Sequence, residues 1–538
     1  MLFTRQIGAQ PGVQLNPLKD SSELPASGNS DQTFAVVARF PRGRIDKPFR
    51  VNRSNATRKL GRPEPMRASA LNEAHIHTVE AINKGAYEAI VQRLVTPAAA
   101  LSWIVVNPDG TATTSATEPT TTTHLLAVRH LECFNDGIMI AIHAEEVKVS
   151  GVAVDNQELT VQLLDKDGTK LYEFTGSLDP AAKDDYGVSN YLPNVVAVQA
   201  AGGEVEISAP AGAKVLAGGL GYGRTAMGTY AWAITPVVNY FTEGGTGYST
   251  ADFMAARMKL ATTDLDFGYI ASGGSRAPAL LTQLAQLAYE SNRQLRYDVP
   301  GDLSPAAAIT FVNQLNITDK NMVHLVQAFW APLKTDCPLG VNGKAVIGTS
   351  GLNIAKACTR NAATNAKGFA PKNYPIAGQL FPFDRSGVQQ IYSPTEQELS
   401  DLALAGINPV IYERYAQGGL YVWSDSLTSR KGNTLAKLIA VAEMSTDIDD
   451  KVVRYMKGLI QFPMAVAVKK ANDFLKDLLD DADASEWLVP SAKLGGASFQ
   501  YAAQPSEDRP YDRMSVRYWL SFDGTVRQID VTQEIVGR

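Results

Sequence analysis

The sequence has little cysteine and little histidine, the residue types on which disulfide scaffolds and most metal sites depend. Among 538 residues there are three cysteines and six histidines. Cys133, Cys337 and Cys358 lie far apart and cannot all form pairs, so a reducing compartment is expected. His75 and His77 are two positions apart on a predicted helix and point away from each other, which makes them poor metal ligands. The sequence predicts no metal site.

Long apolar runs and an excess charge of one sign are also missing. No run approaches the length that a membrane-spanning helix needs, and the N-terminus lacks a charged stretch followed by an apolar one. The net charge is only −5, so neither nucleic acid nor a membrane surface is expected as the main partner. Charge is nevertheless uneven: residues 39–67 hold ten Lys or Arg against two acids, and residues 473–486 hold six acids against Lys476. These stretches are read either as two solvated faces or as complementary contacts between copies.

Catalytic motifs are missing as well. The nucleophile elbow Gly-x-Ser-x-Gly is absent, and the nearest strings are Gly273-Gly274-Ser275 and Gly348-Thr349-Ser350-Gly351. Beyond His143 the one candidate base is His324, which lies among apolar residues. The Gly-Lys pair at residues 343–344 lacks the spacing of a phosphate loop. We therefore predict a protein that is not an enzyme and needs no cofactor, with a hydrolase kept as a minor alternative.

What the sequence does contain is the composition of a folded, multidomain chain. Apolar residues make up 45% and charged residues 20%, which is ordinary for a globular protein, and the length predicts two to four domains. Residues 33–40 read as a buried strand, residues 69–95 as a helix with an apolar stripe, and residues 102–106 as a second strand. Strand, helix and strand at this spacing predict a parallel crossover in an α/β core.

A threonine-rich linker and a change of period indicate an inserted domain. Residues 111–123 include eight threonines, and period-two alternation follows in residues 138–142 and 159–163, with a turn at Asp167-Gly168. Helical signals then return, with Ser304-Pro305 at one helix start. We predict a small antiparallel domain inserted into the α/β core.

The residue patterns at the two chain ends differ from those of the rest of the chain. The first thirty residues show no sustained apolar period and read as an arm. Residues 516–522 alternate, turn at Asp523-Gly524 and return through residues 525–536, which predicts a terminal hairpin. The predicted divisions are listed here: 1–30 arm, 31–106 first part of the core, 107–234 β-rich insert, 235–392 second part of the core, 393–524 C-terminal α+β domain with two helices split by Pro463, and 525–538 terminal strand or arm.

Several short motifs occur in an order that resembles the sheath proteins of bacteriophage contractile tails. The motifs are Pro11-Gly12-Val13, Phe40-Pro41-Arg42-Gly43, Asp46-Lys47-Pro48-Phe49, Leu60-Gly61, Asn72-Glu73-Ala74, Gly85-Ala86, Tyr374-Pro375-Ile376-Ala377-Gly378, Phe383-Asp384-Arg385-Ser386-Gly387-Val388, Gly406-Ile407-Asn408 and Tyr421-Val422-Trp423. The chain departs from the family pattern at Ser424-Asp425-Ser426, where Gly, Ala or Gly, Arg and Thr are usual.

The resemblance implies a fold and a function. The fold is a multidomain α+β chain with a subtilisin-like α/β core that lacks the catalytic triad, a β-rich insert, and arms at both ends. The function is that of a structural subunit that stacks as rings around a tail tube and contracts to drive it through the host envelope. The implied partners are copies of itself, the tube protein, and the baseplate and tail terminator proteins, without nucleic acid contact or membrane insertion. The implied location is the virion, after assembly in the host cytoplasm.

Two groups of residues are predicted to join copies. The arms are represented by Pro11, Gly12, Val13, Leu15, Ile529, Val531 and Ile535, and the acceptor sheets by Val422, Trp423, Tyr518 and Leu520. The alternative is a terminal hairpin that closes only its own sheet. For the whole protein, the alternatives are the sheath of a phage-derived bacteriocin or injection particle, and a receptor-binding protein that uses the insert. Because one chain carries both halves, a type VI sheath, which divides them between two proteins, is disfavoured.

Overall fold

The computed structural model describes residues 30–144, 147–216 and 232–534. The predicted arm residues Pro11, Gly12, Val13, Leu15 and Ile535, and the glycine-rich stretch 218–223, lie outside these ranges. Within them, no helix is long and apolar enough to cross a membrane.

The helices start where the sequence supplies caps. Ser304 accepts a hydrogen bond from the Ala307 amide, and Thr395 forms a capping box with Glu398. The helices are α1 Ala56–Leu60, α2 Glu73–Lys84, α3 Leu192–Gln199, α4 Thr250–Ala261, α5 Pro278–Ser291, α6 Pro305–Gln314, α7 Ser350–Ala362, α8 Glu396–Leu404, α9 Ile439–Lys457 and α10 Met464–Ala484.

The strands fall into one large sheet and several small ones. They are β1 Thr33–Ala38, β2 Phe49–Val51, β3 Glu88–Arg93, β4 Ala100–Leu101, β5 Trp103–Val106, β6 Ala112–Ser115, β7 Leu126–His130, β8 Ile138–His143, β9 Val147–Val149, β10 Val152–Val154, β11 Glu158–Asp165, β12 Lys170–Ser177, β13 Val205–Ser208, β14 Ala233–Ile234, β15 Phe241–Thr242, β16 Tyr269–Ala271, β17 Gln294–Val299, β18 Val326–Trp330, β19 Leu333–Asp336, β20 Lys344–Ala345, β21 Gln389–Gln390, β22 Ile407–Tyr415, β23 Gly418–Trp423, β24 Phe499–Pro505 and β25 Met514–Leu520.

The large sheet has the strand order β2-β3-β1-β16-β17-β18-β22-β23. Its six inner strands are parallel, and the edge strands β2 and β23 are antiparallel to their neighbours. Apolar side chains on the two faces form separate cores, one against α2 and α7 and one against α4, α5, α6 and α8. Two covered faces explain why β1 reads as a nearly continuous apolar run. The predicted α/β core is confirmed: helices cover both faces of a mixed, mainly parallel sheet.

One predicted helix is wrong in its second half. The helix predicted over residues 69–95 ends at Lys84, and β3 then pairs in parallel with β1. Gly85 ends the helix at φ +142°, and a Cβ there would lie 1.9 Å from Thr359 Oγ1. The predicted second core strand, β5, pairs instead with β6 and β7 in the inserted region.

The inserted region consists of two four-stranded antiparallel sheets over one shared core. Their orders are β12-β11-β8-β14 and β13-β7-β5-β6. The predicted pair around Asp167-Gly168 is confirmed as β11 and β12. The insert is tied to the core by the basic stretch 39–67, in which Arg42 pairs with Asp136 at 2.7 Å and Arg39 pairs with Glu243 at 2.9 Å. Several charges of this stretch are thus used within the chain.

The C-terminal region packs α9 and α10 against β24 and β25. The predicted terminal hairpin is wrong: β25 pairs with β24, and residues 524–534 form no strand. Asp523 donates its amide to Trp487 O at 3.3 Å instead of starting a hairpin turn.

Candidate subunit interface

β24 and β25 form a two-stranded sheet that pairs with no further strand in the described residues. Phe499, Tyr501, Val516, Tyr518 and Leu520 are half-buried and pack against the core formed by α9 and α10. A two-stranded sheet is marginally stable alone, so this apolar face and the helices beneath it hold the strands. The outer edges of β24 and β25 differ in their hydrogen bonding.

The outer edge of β24 is capped at one position by a side chain from α10. Asn472 Nδ2 donates to Ala503 O at 2.8 Å, and the Ala503 amide donates to Asn472 Oδ1 at 3.0 Å. The Asn472 amide therefore occupies both outward backbone groups of Ala503, whereas those of Phe499 and Tyr501 have no backbone partner within the described ranges. A strand that paired across Ala503 would have to displace Asn472, which disfavours strand addition on that side.

The outer edge of β25 is open. Ser506 donates its amide to Arg513 O and Ser521 donates its amide to Ser498 O, so the odd-numbered residues of β25 face β24. The even-numbered residues 514–520 direct their backbone groups outward, and none of these groups is hydrogen-bonded within the described ranges. At the end of the strand, Val489 donates to Ser521 O at 2.8 Å on the side that faces β24.

The predicted acceptor residues Tyr518 and Leu520 lie on this open edge. The Tyr518 hydroxyl donates to Asp449. Burial, together with the Asp449 carboxylate, raises the pKa of Tyr518. Both side chains are anchored in the core while their backbone groups face outward, which fits an acceptor strand.

The other predicted acceptor residues, Val422 and Trp423, are fully buried in β23. Here the outward edge is largely used by the chain itself. Gly378 donates its amide to Trp423 O at 2.9 Å, and Phe383 donates its amide to Tyr421 O at 2.8 Å. Among the outward carbonyls of β23, Gly419 O alone has no such partner in the described part of the chain. The structure thus brings together Tyr518 and Leu520 on an open edge and leaves little edge at Val422 and Trp423.

The residues after β25 are extended and expose apolar side chains. Val526, Ile529 and Val531 are 75%, 77% and 88% exposed. Arg527 alone in residues 525–534 contacts the rest of the described chain by side-chain hydrogen bonds, through Asp425. We name residues 524–534 the C-terminal tail.

A buried ionic cluster holds the start of the described chain at Asp31. Lys372 Nζ lies 2.9 Å from Asp31 Oδ2 and 2.8 Å from Asp447 Oδ1, and Asn361 Nδ2 donates to Asp31 O at 3.0 Å. Burial alone would raise the pKa of Asp447, but the ammonium group of Lys372 lowers it to about 2. The cluster borders a polar cavity of about 490 Å³ between the sheet edge and α9.

A second polar cluster resembles a hydrolase constellation that sequence reasoning missed. The Ser350 hydroxyl donates to Asp298, the amides of Thr349 and Ser350 donate to the same carboxylate at 2.6 and 2.8 Å, and His77 Nδ1 lies 3.7 Å from it. The string Gly348-Thr349-Ser350-Gly351 was its one sequence signal.

This second cluster is closed to substrate. All three side chains are at least 95% buried, and the adjoining cavity of about 10 Å³ holds at most one water molecule. Ser350 donates to the carboxylate rather than to an imidazole base, so nothing activates it as a nucleophile. The carboxylate instead caps the N-terminus of α7 and fixes it to β17. His324, the other candidate base, lies in a short turn before β18 and is half-buried.

Metal-binding geometry is also missing from the described ranges: no group of three His, Cys, Asp or Glu side chains is placed to hold an ion. Among the described residues, the open backbone edge of β25 and the extended tail that follows it are features that fit a contact with another molecule.

The chain is similar to parts of two contractile assemblies. The first is the sheath complex of PVC, an extracellular contractile injection system in its contracted state, with 12% identity over 57% of this chain and 76% of that chain and a TM-score of 0.41. The second is the anti-feeding prophage baseplate in its contracted state, with 14% identity over 56% of this chain and 80% of that chain and a TM-score of 0.40. No family model and no curated protein matches the chain. At TM-scores below 0.5 these similarities establish neither a shared fold nor a function.

Proposed function

We propose that this chain is the subunit of a contractile sheath, which polymerises when the C-terminal tail of one copy adds to the open edge of β25 in another. One observation carries the proposal: in the described residues, the outward backbone groups of β25 have no partner, and the tail in the same chain exposes the apolar side chains of Val526, Ile529 and Val531. Open edges are a liability in a monomer, and proteins that keep them use them to bind a strand.

The energy of such a contact is sufficient for assembly. A donated strand of this length makes about five or six backbone hydrogen bonds, each worth about 0.5–1.5 kcal/mol net. Burying Ile529 and Val531, which are now exposed, adds about 1.5–3 kcal/mol for each side chain. One contact of several kcal/mol per copy is weak alone and strong in a lattice.

The geometry of the contact favours an open polymer. The donor and the acceptor are different surfaces of one chain, so each bound copy still offers a tail or an edge to the next. Asn472 occupies the outward backbone groups of Ala503 on β24, which favours addition at the edge of β25. Stacked rings around a tube are one way in which such contacts repeat.

Contraction and the assembly partners of the subunit are proposed from the motif resemblance. A two-state system moves from 1:99 to 99:1 with about 5.5 kcal/mol, which a cooperative lattice divides among many copies. Neither a nucleotide nor an active site is then required. The partners would be a tube protein, a baseplate and a terminator, in a virion assembled in the host cytoplasm. Capsid genes beside this gene would favour a virus over a phage-derived bacteriocin.

Proline substitutions in the tail test the strand donation. Ile529→Pro with Val531→Pro removes two amide donors and restricts the backbone, while both side chains are mostly exposed in the monomer. We expect the variant to fold like the parent but to form no tubes in negative-stain electron microscopy.

Tyr186→Ser is the control, because Tyr186 is 92% exposed and belongs to the insert rather than to the tail. It should form tubes as the parent does. Normal tubes from the double proline variant would refute the proposed function.

A further inference from the structure

Within the described residues, the C-terminal tail is joined to the rest of its own subunit by side-chain hydrogen bonds of one residue, Arg527. Arg527 Nε donates to Asp425 Oδ1 at 2.8 Å, and Arg527 Nη2 donates to Asp425 Oδ2 at 2.5 Å. This is a bidentate guanidinium–carboxylate pair, the strongest and most directional form of such a contact. The two side chains are 25% and 14% exposed, so water screens the pair only in part.

The acidic partner is itself held in place. Asp425 Oδ1 also accepts a hydrogen bond from the Ser426 amide at 2.8 Å, and the residue lies two positions after β23, whose last two residues are buried. Asp425 lies in the segment Ser424-Asp425-Ser426, where the sequence departs from the sheath motifs.

The contact divides the tail into two parts with different surroundings. Arg527 and Gln528 line a groove of about 670 Å³ beside α8, together with Arg430 and Lys437. Beyond them, Ile529 and Val531 are exposed. The contact thus fixes where the tail leaves the subunit without holding the residues that are proposed to be donated.

We propose that the Arg527–Asp425 pair is a latch that sets the exit point and the reach of the tail toward a second copy of this chain, an inference that rests on the proposed function. With the latch closed, residues 528–538 can span at most about 36 Å. With the latch open, residues 524–527 add about 13 Å of reach, and the tip of the tail searches a larger volume. A fixed exit point lowers the conformational entropy that binding must remove.

The latch is tested first in the monomer, by spin-label distances. Labels at Ile529→Cys and Leu404→Cys sit on exposed positions of the tail and of α8. The native cysteines are buried, and burial raises the pKa of Cys133 and Cys358 to about 12, so they resist labelling. We expect a narrow distance distribution in the labelled parent, a broad one in Asp425→Asn, and a narrow one again in the charge-reversed pair Asp425→Arg with Arg527→Asp. An unchanged distribution in Asp425→Asn would overturn the latch.

Tube formation is then followed for the same substitutions without labels. Asp425→Asn should form tubes more slowly than the parent, and the charge-reversed pair should regain the parental rate. Faster assembly of Asp425→Asn would overturn the proposal, because the contact would then hold the tail back. A chain that ends at Gly524 tests strand donation separately from the latch. If this chain forms normal tubes, strand donation by the tail is wrong. The spin-label distances in the monomer still test the latch independently.

Discussion

At the scale of single residues, two histidines on α2 are predicted to give opposite pH dependences of stability. Burial lowers the pKa of His75 to about 4. Burial alone would also lower the pKa of His77, but the carboxylates of Asp298 and Glu73 raise it, against a smaller opposing effect of Arg385. Both side chains are at least 97% buried, so their environments rather than solvent decide their charge.

The signs follow from proton uptake. Between about pH 4 and 6.5 the unfolded chain protonates His75 and the folded chain does not, so His75 makes stability rise with pH. His77 is protonated to higher pH in the folded chain, so its contribution is complete below about pH 6.5 and is lost as pH rises through the raised pKa. Urea unfolding of the parent, His75→Gln and His77→Gln from pH 4 to 9 measures both slopes. The first variant should flatten the acidic limb and the second the neutral limb; equal slopes in all three chains would contradict the assignment.

At the scale of elements, one carboxylate on α9 binds side chains from three other elements. Glu443 on α9 pairs with Arg296 of β17 at 2.6 Å and with Arg360 of α7 at 3.0 Å, and it accepts a hydrogen bond from Tyr269 of β16 at 2.8 Å. Its side chain and both guanidinium groups are at most 2% exposed. Breaking such a cluster by removing one partner leaves buried charge without compensation.

Glu443→Gln should therefore lower the free energy of unfolding by about 3–5 kcal/mol. The matched control is Asp480→Asn, which removes an exposed carboxylate paired with Lys476 at 2.9 Å and should change stability by less than about 0.5 kcal/mol. Urea denaturation measures both. Equal effects of the two substitutions would contradict a structural role for the cluster.

Elements with local signals were predictable, and their pairings were not. The caps at Ser304 and Thr395 and the mainly apolar run of β18 mark their elements in the sequence itself. Alternation in residues 516–522 marks a strand but does not name its partner: the nearby Asp523-Gly524 favoured residues 525–536, whereas β24 pairs with it through a core shared with α9 and α10. Likewise Gly85 separates a helix from a buried strand whose apolar residues continue the helical stripe by coincidence.

The candidate interface was predictable only in part. Tyr518 and Leu520 were identified from alternation, which is a property of the strand itself. Asn472 carries no sequence signal, because a single Asn on a helix becomes an edge cap only through the packing of α10 on β24. The same holds for Asp425, whose role depends on the path of residues that follow it by about one hundred positions.

At the scale of the whole molecule, donor and acceptor can be separated and recombined. A chain that ends at Gly524 lacks the tail but keeps the edge of β25. Val516→Pro should block the edge, since its amide faces outward and the ladder with β24 is made by the odd-numbered residues. To isolate this contact, both chains are made without residues 1–20, which are most of the predicted N-terminal arm.

Each of these chains should remain monomeric alone, because each lacks one half of the contact. A mixture should form one-to-one heterodimers and nothing longer, since the tail of one fits the edge of the other and no further pair remains. A single strand contact of about 5–6 kcal/mol corresponds to a Kd on the order of 0.1 mM, which sedimentation of concentrated mixtures resolves. Dimers of either chain alone would place the contact elsewhere, and a mixture that stays monomeric at millimolar concentration would mean that tail and edge do not recognise each other.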